Sequence, residues 1–188
     1  MKVRIKGTPR LPGHDAGETN LARMIRVDHA GEYGAVQIYR GQMAVLGHTA
    51  SGKTIRHMEA QEQVHLRKFD ELIAEHGVRP TILSPVWHVA GFALGAVTAL
   101  MGEKAAMACT AAVEEVIDEH YASQVAALES DGEENAQLKE TIEAFRIEEV
   151  AHKDTAIALG AEETPGYGVI SSVIKASCRL AIRLSERF

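Results

Sequence analysis

Two four-residue stretches limit what this chain can fold into more than any other feature: Glu62-Gln63-Val64-His65 and Glu149-Val150-Ala151-His152. Each places a carboxylate and an imidazole three residues apart, which on an α-helix stacks them on one face. Each is preceded by another glutamate in helical surroundings. Glu32 stands 30 residues before Glu62, and Glu114 stands 35 residues before Glu149. The order Glu … Glu-x-x-His therefore occurs twice. Four carboxylates and two imidazoles facing one another inside a four-helix bundle form a binuclear metal site.

Helical spacing accounts for the rest of the chain. A first helix starts near Glu18–Asn20, with Thr19 or Asn20 as its cap, and carries Leu21, Met24, Ile25, Ala35, Ile38, Gln42 and Val45 at helical intervals. Gly31, Gly34 and Gly41 lie inside it, each at a cost of roughly 1 kcal/mol relative to alanine. Their presence there points to the close approach of another helix or a ligand. A second helix covers about 53–75 and stops at Gly77 and Pro80. The third is apolar. Its uninterrupted part, Val89–Met101, has 13 residues, short of the roughly 20 that span a bilayer, so a buried or re-entrant helix is expected.

The fourth helix carries Met107, Ala111, Glu114, Ile117 and Tyr121 to about residue 128, and Ser130-Asp131-Gly132 reads as a turn. A fifth runs over about 134–159, with Leu138, Ile142, Phe145, Glu149 and His152 on one stripe, and a loop follows at 160–166. The sixth, about 167–187, is amphipathic and bears a ridge of Lys175, Arg179, Arg183 and Arg187. An apolar face beside a basic ridge suits an anionic membrane surface. The expected fold is all-α: a ferritin-like four-helix bundle with two additional membrane-associating helices. Residues 1–18 are expected to form a flexible N-terminal arm and 19–188 a single di-iron ferritin-like domain. The segments 20–76 and 104–159 repeat the same glutamate order, which implies a pseudo-two-fold axis between the metals.

Charge balance favours iron at the centre. Four glutamates bring −4 and two Fe(II) ions +4, so the buried reduced site is neutral and avoids most of the cost of isolated buried charge. Carboxylate oxygens are hard donors that suit iron or manganese. The ligand set is Glu32, Glu62 and His65 with Glu114, Glu149 and His152. Glu115 adjoins Glu114 and Glu148 adjoins Glu149, and helical phase separates neighbours by only ~100°. The spacing to His152 selects Glu149, which turns Glu148 toward solvent or toward the back of the site. Asp28, four before Glu32, is expected to accept the free N–H of a ligand imidazole. His29 is expected to pack near the site. His120 and Tyr121, close to Glu114, are candidates for proton or electron delivery. The net charge of −6 argues against a nucleic-acid partner. Cys109 and Cys178 lack metal-ligand spacing and suit a reducing compartment.

Longer stretches carry a more specific likeness. Arg26-Val27-Asp28-His29-Ala30-Gly31-Glu32-Tyr33-Gly34-Ala35 resembles the signature of the demethoxyubiquinone hydroxylase family. So do Gly41–Leu46, Trp87–Leu100, Ala106–Thr110, Val113-Glu114-Glu115, Glu148–His152, Cys178-Arg179 and Leu184–Arg187. The likeness begins near residue 20 and covers almost everything after it. It implies a non-haem di-iron monooxygenase that uses O2 to hydroxylate the ring of a demethoxy polyprenyl benzoquinol in ubiquinone biosynthesis. The family's six ligands fall on Glu32, Glu62, His65, Glu114, Glu149 and His152.

The resemblance further implies a peripheral membrane protein, on the cytoplasmic side of a bacterial cell membrane or the matrix side of the mitochondrial inner membrane. The arm lacks the Arg/Ser-rich character of a transit peptide, so the bacterial setting is expected. Some eukaryotic members work with a lipid-binding protein of the ubiquinone pathway. NADH is the electron donor proposed for the family, although this sequence shows no Gly-rich dinucleotide motif. Two other readings stand beside this one: a ferritin-like ferroxidase or iron-binding protein, and a non-enzymatic quinone- or lipid-binding helical protein.

Overall fold

The computed structural model describes residues 20–130 and 135–188. Among them the chain forms α1 (Asn20–Leu46), α2 (Gly52–His76), α3 (Ser84–Leu100), α4 (Glu103–Ser130), α5 (Ala136–Ala158) and α6 (Tyr167–Ser185), with a 3-10 turn at Ala161–Glu163 and no strand. The expected arm at 1–18, the Thr19 cap and the Asp131-Gly132 turn lie outside the described residues. Local chemistry sets the visible ends. Gly77 closes α2 in the left-handed conformation (φ 62°), and the amides of Gly77 and Val78 both return to the carbonyl of Ile73. Only a residue without Cβ adopts that conformation cheaply. Pro85 sits in the first turn of α3, where its missing N–H is not needed. The loop expected at 160–166 tightens into the 3-10 turn, with Ala161 buried in the core.

Four helices are arranged around two apolar layers. One layer contains Tyr39 and Leu46 of α1, Ile55 and Met58 of α2, Met107 and Ala111 of α4, and Ala156 of α5. The other contains Met24 and Ile25 of α1, Phe69 and Leu72 of α2, Tyr121 and Leu128 of α4, and Leu138 and Ile142 of α5. The order in which each helix passes through the layers fixes its direction. α1 and α5 run one way, α2 and α4 the other. Because α2 and α4 are parallel, α3 has to carry the chain back along the length of the bundle between them. Every Glu and His of the repeated pattern lies between the two layers, so the apolar packing above and below seals that level from water.

The crossover helix α3 rests on α1 almost backbone to backbone. A Cβ on Gly95 would stand 1.9 Å from the Ile38 carbonyl oxygen, and one on Gly41 would stand 2.2 Å from the Phe92 carbonyl oxygen. These two glycines, with Gly91, let the helices approach as small-residue interfaces do in general. Gly31 and Gly34 differ, because a Cβ at either would meet nothing within 4 Å. The close approach leaves the third helix, expected to be buried or re-entrant, only partly buried. α3 buries only Gly91, Gly95, Thr98 and Ala99. A glycine stripe is narrow, so Val89 (68% exposed), Phe92, Val97, Leu100 (74%) and Met101 remain on the surface.

α6 covers α4 on the same side of the bundle and exposes Val169, Val173 and Leu180. Its basic ridge is not the open row expected from the sequence. Lys175 Nζ lies 2.6 Å from Glu115, and an Arg179 guanidinium nitrogen 2.8 Å from Glu119, so two of the four cations are spent on α4. Among the described residues, no helix is long and apolar enough to cross a membrane.

The contrast between glycines gives a stability test. Gly95→Ala forces backbone to move and is expected to cost about 1–3 kcal/mol, lowering the melting temperature by roughly 2–10 °C. Gly34→Ala, which points into open space and removes a helix-interior glycine, is expected to melt about 2–4 °C above the parent. Differential scanning calorimetry of both variants checks this.

Candidate metal centre

Each of the four bundle helices presents polar side chains between the apolar layers. α1 supplies Glu32, α2 supplies Glu62 and His65, α4 supplies Glu114, and α5 supplies Glu149 and His152. All six are buried, none more than 3% exposed. Their ligand atoms fall into two groups, within each of which all atoms lie within 4.8 Å of one another. One group is Glu32, Glu62, His65 and Glu149; the other is Glu62, Glu114, Glu149 and His152. Glu62 and Glu149 belong to both. His65 Nδ1 is 3.1 Å from Glu149 and 3.5 Å from Glu32. His152 Nδ1 is 3.0 Å from Glu62 and 3.4 Å from Glu149.

The hydrogen bonding of the cluster shows what it lacks. Both carboxylate oxygens of Glu62 and of Glu149, one oxygen each of Glu32 and Glu114, and Nδ1 of both histidines are buried without a hydrogen-bond partner. Such orphans are rare and costly in a folded protein. Here they converge on two points, and carboxylate oxygens with imidazole nitrogens are a donor set that fits iron or manganese. The group can therefore hold metal ions. Protons respond to the same electrostatic demand. Burial drives Glu62 up to about 7 despite its contacts with His152 and His65. Burial raises Glu114 and Glu149 too, reinforced by neighbouring carboxylates. Burial would raise Glu32, but the adjacent His65 imidazole outweighs it and holds the carboxyl below its usual value. Burial alone would lower both imidazoles, but the surrounding carboxylates raise them, His152 to about 10.

The groups behind these residues repeat across the pseudo-two-fold axis. Tyr39, seven residues after Glu32, donates its hydroxyl to Glu114 at 2.6 Å. Tyr121, seven after Glu114, donates to Glu32. Burial and the adjacent carboxylates push both phenols well above their ordinary value, so both remain donors. Gln42 donates to Thr110, four before Glu114, and Gln124 donates to Asp28, four before Glu32. On the outer side, His65 Nε2 faces Glu148 at 3.2 Å and His152 Nε2 faces the Gln61 carbonyl oxygen at 3.1 Å. Those oxygens only accept, so each Nε2 carries the proton and each Nδ1 is directed at the cluster. Phe145 stacks on His65 with centroids 3.9 Å apart and shields it on the α5 side.

The structure brings together all six residues expected from the sequence and separates their neighbours. Glu115 pairs with Lys175 rather than turning inward. Glu148 stays half-exposed and backs His65. Asp28 does not serve a ligand imidazole as expected. It lies on the α4-facing side of α1 and bonds His120 at 3.0 Å and Gln124 at 2.7 Å. The ligand imidazoles come from α2 and α5, beyond its reach. His29 bonds Asp70 on α2. Tyr39 and Gln61 were not among the expected site residues. Seven residues is two helical turns, which returns nearly to the same face, and the recurrence of Glu-x6-Tyr in both halves was the available signal for Tyr39.

A cavity of about 190 Å³ opens beside one end of the cluster, between α1, α3, α4 and α6. Its wall is mostly apolar, including Val27, Ala35, Leu94, Val116 and Ile182, and Gly31 and Gly34 leave it room. Its polar members include Glu32, Tyr121, Asp28 and His120. Glu32 therefore belongs both to the buried cluster and to the cavity wall. Cys178 lines the cavity as well, and burial pushes its thiol up to about 11, and that of Cys109 up to about 12, so neither is a ready nucleophile.

Residues 19–185 match the family model described as ubiquinone biosynthesis protein COQ7. The chain is 55% identical over 179 residues to the 3-demethoxyubiquinol 3-hydroxylase of Rhodospirillum rubrum, covering 95% of this chain and 83% of the relative. It is 55% identical over 166 residues to the human mitochondrial NADPH-dependent 3-demethoxyubiquinone 3-hydroxylase, covering 88% and 76%. It is 43% identical over 187 residues to the mitochondrial 5-demethoxyubiquinone hydroxylase of Saccharomyces cerevisiae, covering 92% and 80%.

The crossed tyrosines give a second test. Tyr121→Phe leaves Glu32 without its donor, and Tyr39→Phe does the same to Glu114. Each is expected to destabilise the metal-free protein by about 1–3 kcal/mol, read as a lower urea midpoint at unchanged slope.

Proposed function

The chain belongs to the family of the ubiquinone biosynthesis protein COQ7, and on that premise we propose that it hydroxylates the ring of a demethoxy polyprenyl benzoquinol with O2 at a di-iron centre. The observation that carries this is the shared position of Glu32, at once part of the metal-binding cluster and of an apolar cavity wall. A ring bound in that cavity lies against Glu32, a member of the cluster. A cavity of about 150 Å³ already takes up benzene, so this one, at about 190 Å³, has room for an aromatic ring.

Glu32, Glu62, His65, Glu114, Glu149 and His152 would hold the two irons, with Glu62 and Glu149 common to both groups. Bound iron would supply the reduction and cleavage of O2, one oxygen atom entering the ring and the other leaving as water, with two electrons from a reductant. The chain's own residues provide the setting. The apolar layers exclude water, so oxygen chemistry is directed at the ring. Tyr39 and Tyr121 hold the outer carboxylates by one oxygen and leave the other for metal. His120, kept in place by Asp28, faces the cavity and orients a ring hydroxyl. The donor expected from the resemblance is NADH; the human relative is named NADPH-dependent, and we propose a reduced nicotinamide nucleotide as the ultimate source of electrons.

The directions of α1, α2, α4 and α5, with α3 as the long crossover, support the ferritin-like reading of residues 19–188 as one domain. α3 and α6 line the cavity and also expose Val89, Leu100, Val173 and Leu180. We assign them to a membrane surface, with the prenyl tail leaving the cavity between them into lipid. This makes the protein peripheral to the membrane that holds the quinone pool, on the cytoplasmic face if bacterial, and leaves that face open to a lipid-binding pathway protein. An iron-storage protein needs no apolar cavity at its metal site, and a simple quinone binder needs no convergent orphan ligands.

Reconstituted anaerobically, the protein is expected to hold two iron ions per chain. With a short-tailed demethoxyubiquinol, a reductant and 18O2, it is expected to yield a product carrying one 18O atom. Glu149→Ala is expected to lose both irons and at least 1,000-fold in turnover, on the order of removing an essential catalytic group. Full iron content and turnover in Glu149→Ala would sink the assignment, as would iron loading without any labelled product.

A further inference from the structure

Three breaks in the pseudo-two-fold repeat favour the same pole of the cluster. Asp28 near Glu32 answers to Thr110 near Glu114. His120, reaching across to Asp28, answers to Ile38 on the other side. Glu148, behind His65, answers to Gln61, behind His152. The pole of Glu32 and His65 thus receives two carboxylates and an imidazole where the pole of Glu114 and His152 receives a hydroxyl, an alkyl group and an amide. The cavity opens on the first pole, because Glu32 lies in its wall and Glu114 does not.

The break behind the histidines has a definite physical form. Gln61 Nε2 donates to Glu148 at 2.8 Å while its carbonyl oxygen accepts from His152. His65 donates to the same Glu148 oxygen. One hydrogen-bonded strap therefore runs from His152 through Gln61 to Glu148 and back to His65. The carboxylate fixes which way the amide points. A second carboxylate in place of Gln61 would face Glu148 at hydrogen-bond distance and repel it. Only one imidazole of the pair can then be backed by a full negative charge.

A carboxylate behind a ligating imidazole orients the ring and raises its basicity more than a neutral acceptor does. We infer that the two metal positions are inequivalent: the Glu32/His65 position, next to the cavity, binds divalent metal more tightly, and Glu148 is the positioning residue that makes it so. The inference rests on the binuclear reading proposed above.

Anaerobic Co2+ titration of the full-length metal-free chain, followed by visible absorption and calorimetry, tests it. The parent is expected to fill in two steps separated by about tenfold or more in affinity. His65→Ala is expected to remove the tighter step and His152→Ala the weaker one. Glu148→Gln keeps the shape and an acceptor oxygen but removes the charge. It is expected to weaken the tighter step by about 10–100-fold and to leave the weaker step in place, with an unchanged metal-free melting temperature. Glu148→Asp, which keeps the charge, is expected to recover part of the loss. Two equal steps in the parent would overturn the inference while leaving the binuclear site intact. So would a Glu148→Gln effect on both steps alike or on neither, or equal losses from Gln and Asp. Absence of any Co2+ uptake would remove the binuclear reading itself and this inference with it.

Discussion

The structure depends on keeping four carboxylates and two imidazoles dry at the centre of a helical bundle. Burying an ionised carboxylate costs several kcal/mol even after relaxation, and here Glu32, Glu62, Glu114 and Glu149 are each no more than 1% exposed. Nothing in their immediate surroundings satisfies the inward-facing atoms. The cost is borne by the two apolar layers on either side, which contain most of the large buried side chains of α1, α2, α4 and α5. The site is thereby over-determined. Its residues cannot turn outward without unpacking a layer, so they stay poised for positive charge.

The same arrangement explains why the polar supports come from opposite halves. Each outer glutamate is held by a tyrosine from the other half: Tyr39 on α1 holds Glu114 on α4, and Tyr121 on α4 holds Glu32 on α1. Gln42 and Gln124 make the same exchange one layer out. A half-bundle alone would leave its own glutamate without a donor. Two of the departures from this symmetry, Asp28 and His120, line the cavity beside Glu32, and the third, Glu148, backs His65 on the α2/α5 side.

α3 and α6 serve a different end. α3 is pinned to α1 by glycines so closely that it has little side-chain volume to bury, and its larger residues face outward. α6 fastens to α4 through Lys175–Glu115 and Arg179–Glu119. Between them they wall the cavity and expose apolar side chains.

Much of this was legible in the sequence because helical periodicity and short-range spacing are local properties. The i, i+3 geometry of Glu62 and His65, and of Glu149 and His152, needs only an α-helix to place each pair on one face. Gly77 and Pro80 mark the end of α2 through backbone conformation alone. The long motifs around Glu32 and Trp87 carry the family. What the sequence could not decide is which side chains meet between helices. Asp28 is four residues from Glu32 and looks like a partner for a ligand histidine. Its place on the α4 side of α1 gives it to His120 and Gln124 instead. Glu114 and Glu115 are adjacent in the chain, and only the seat of α6 against α4 assigns Glu115 to Lys175. The ridge from Lys175 to Arg187 is basic as sequence, but packing pairs half of it. Local rules fix the helices and the ligand pairs. The meeting of four helices at one level decides which carboxylates are shared, which tyrosine serves which glutamate, and on which side the cavity opens.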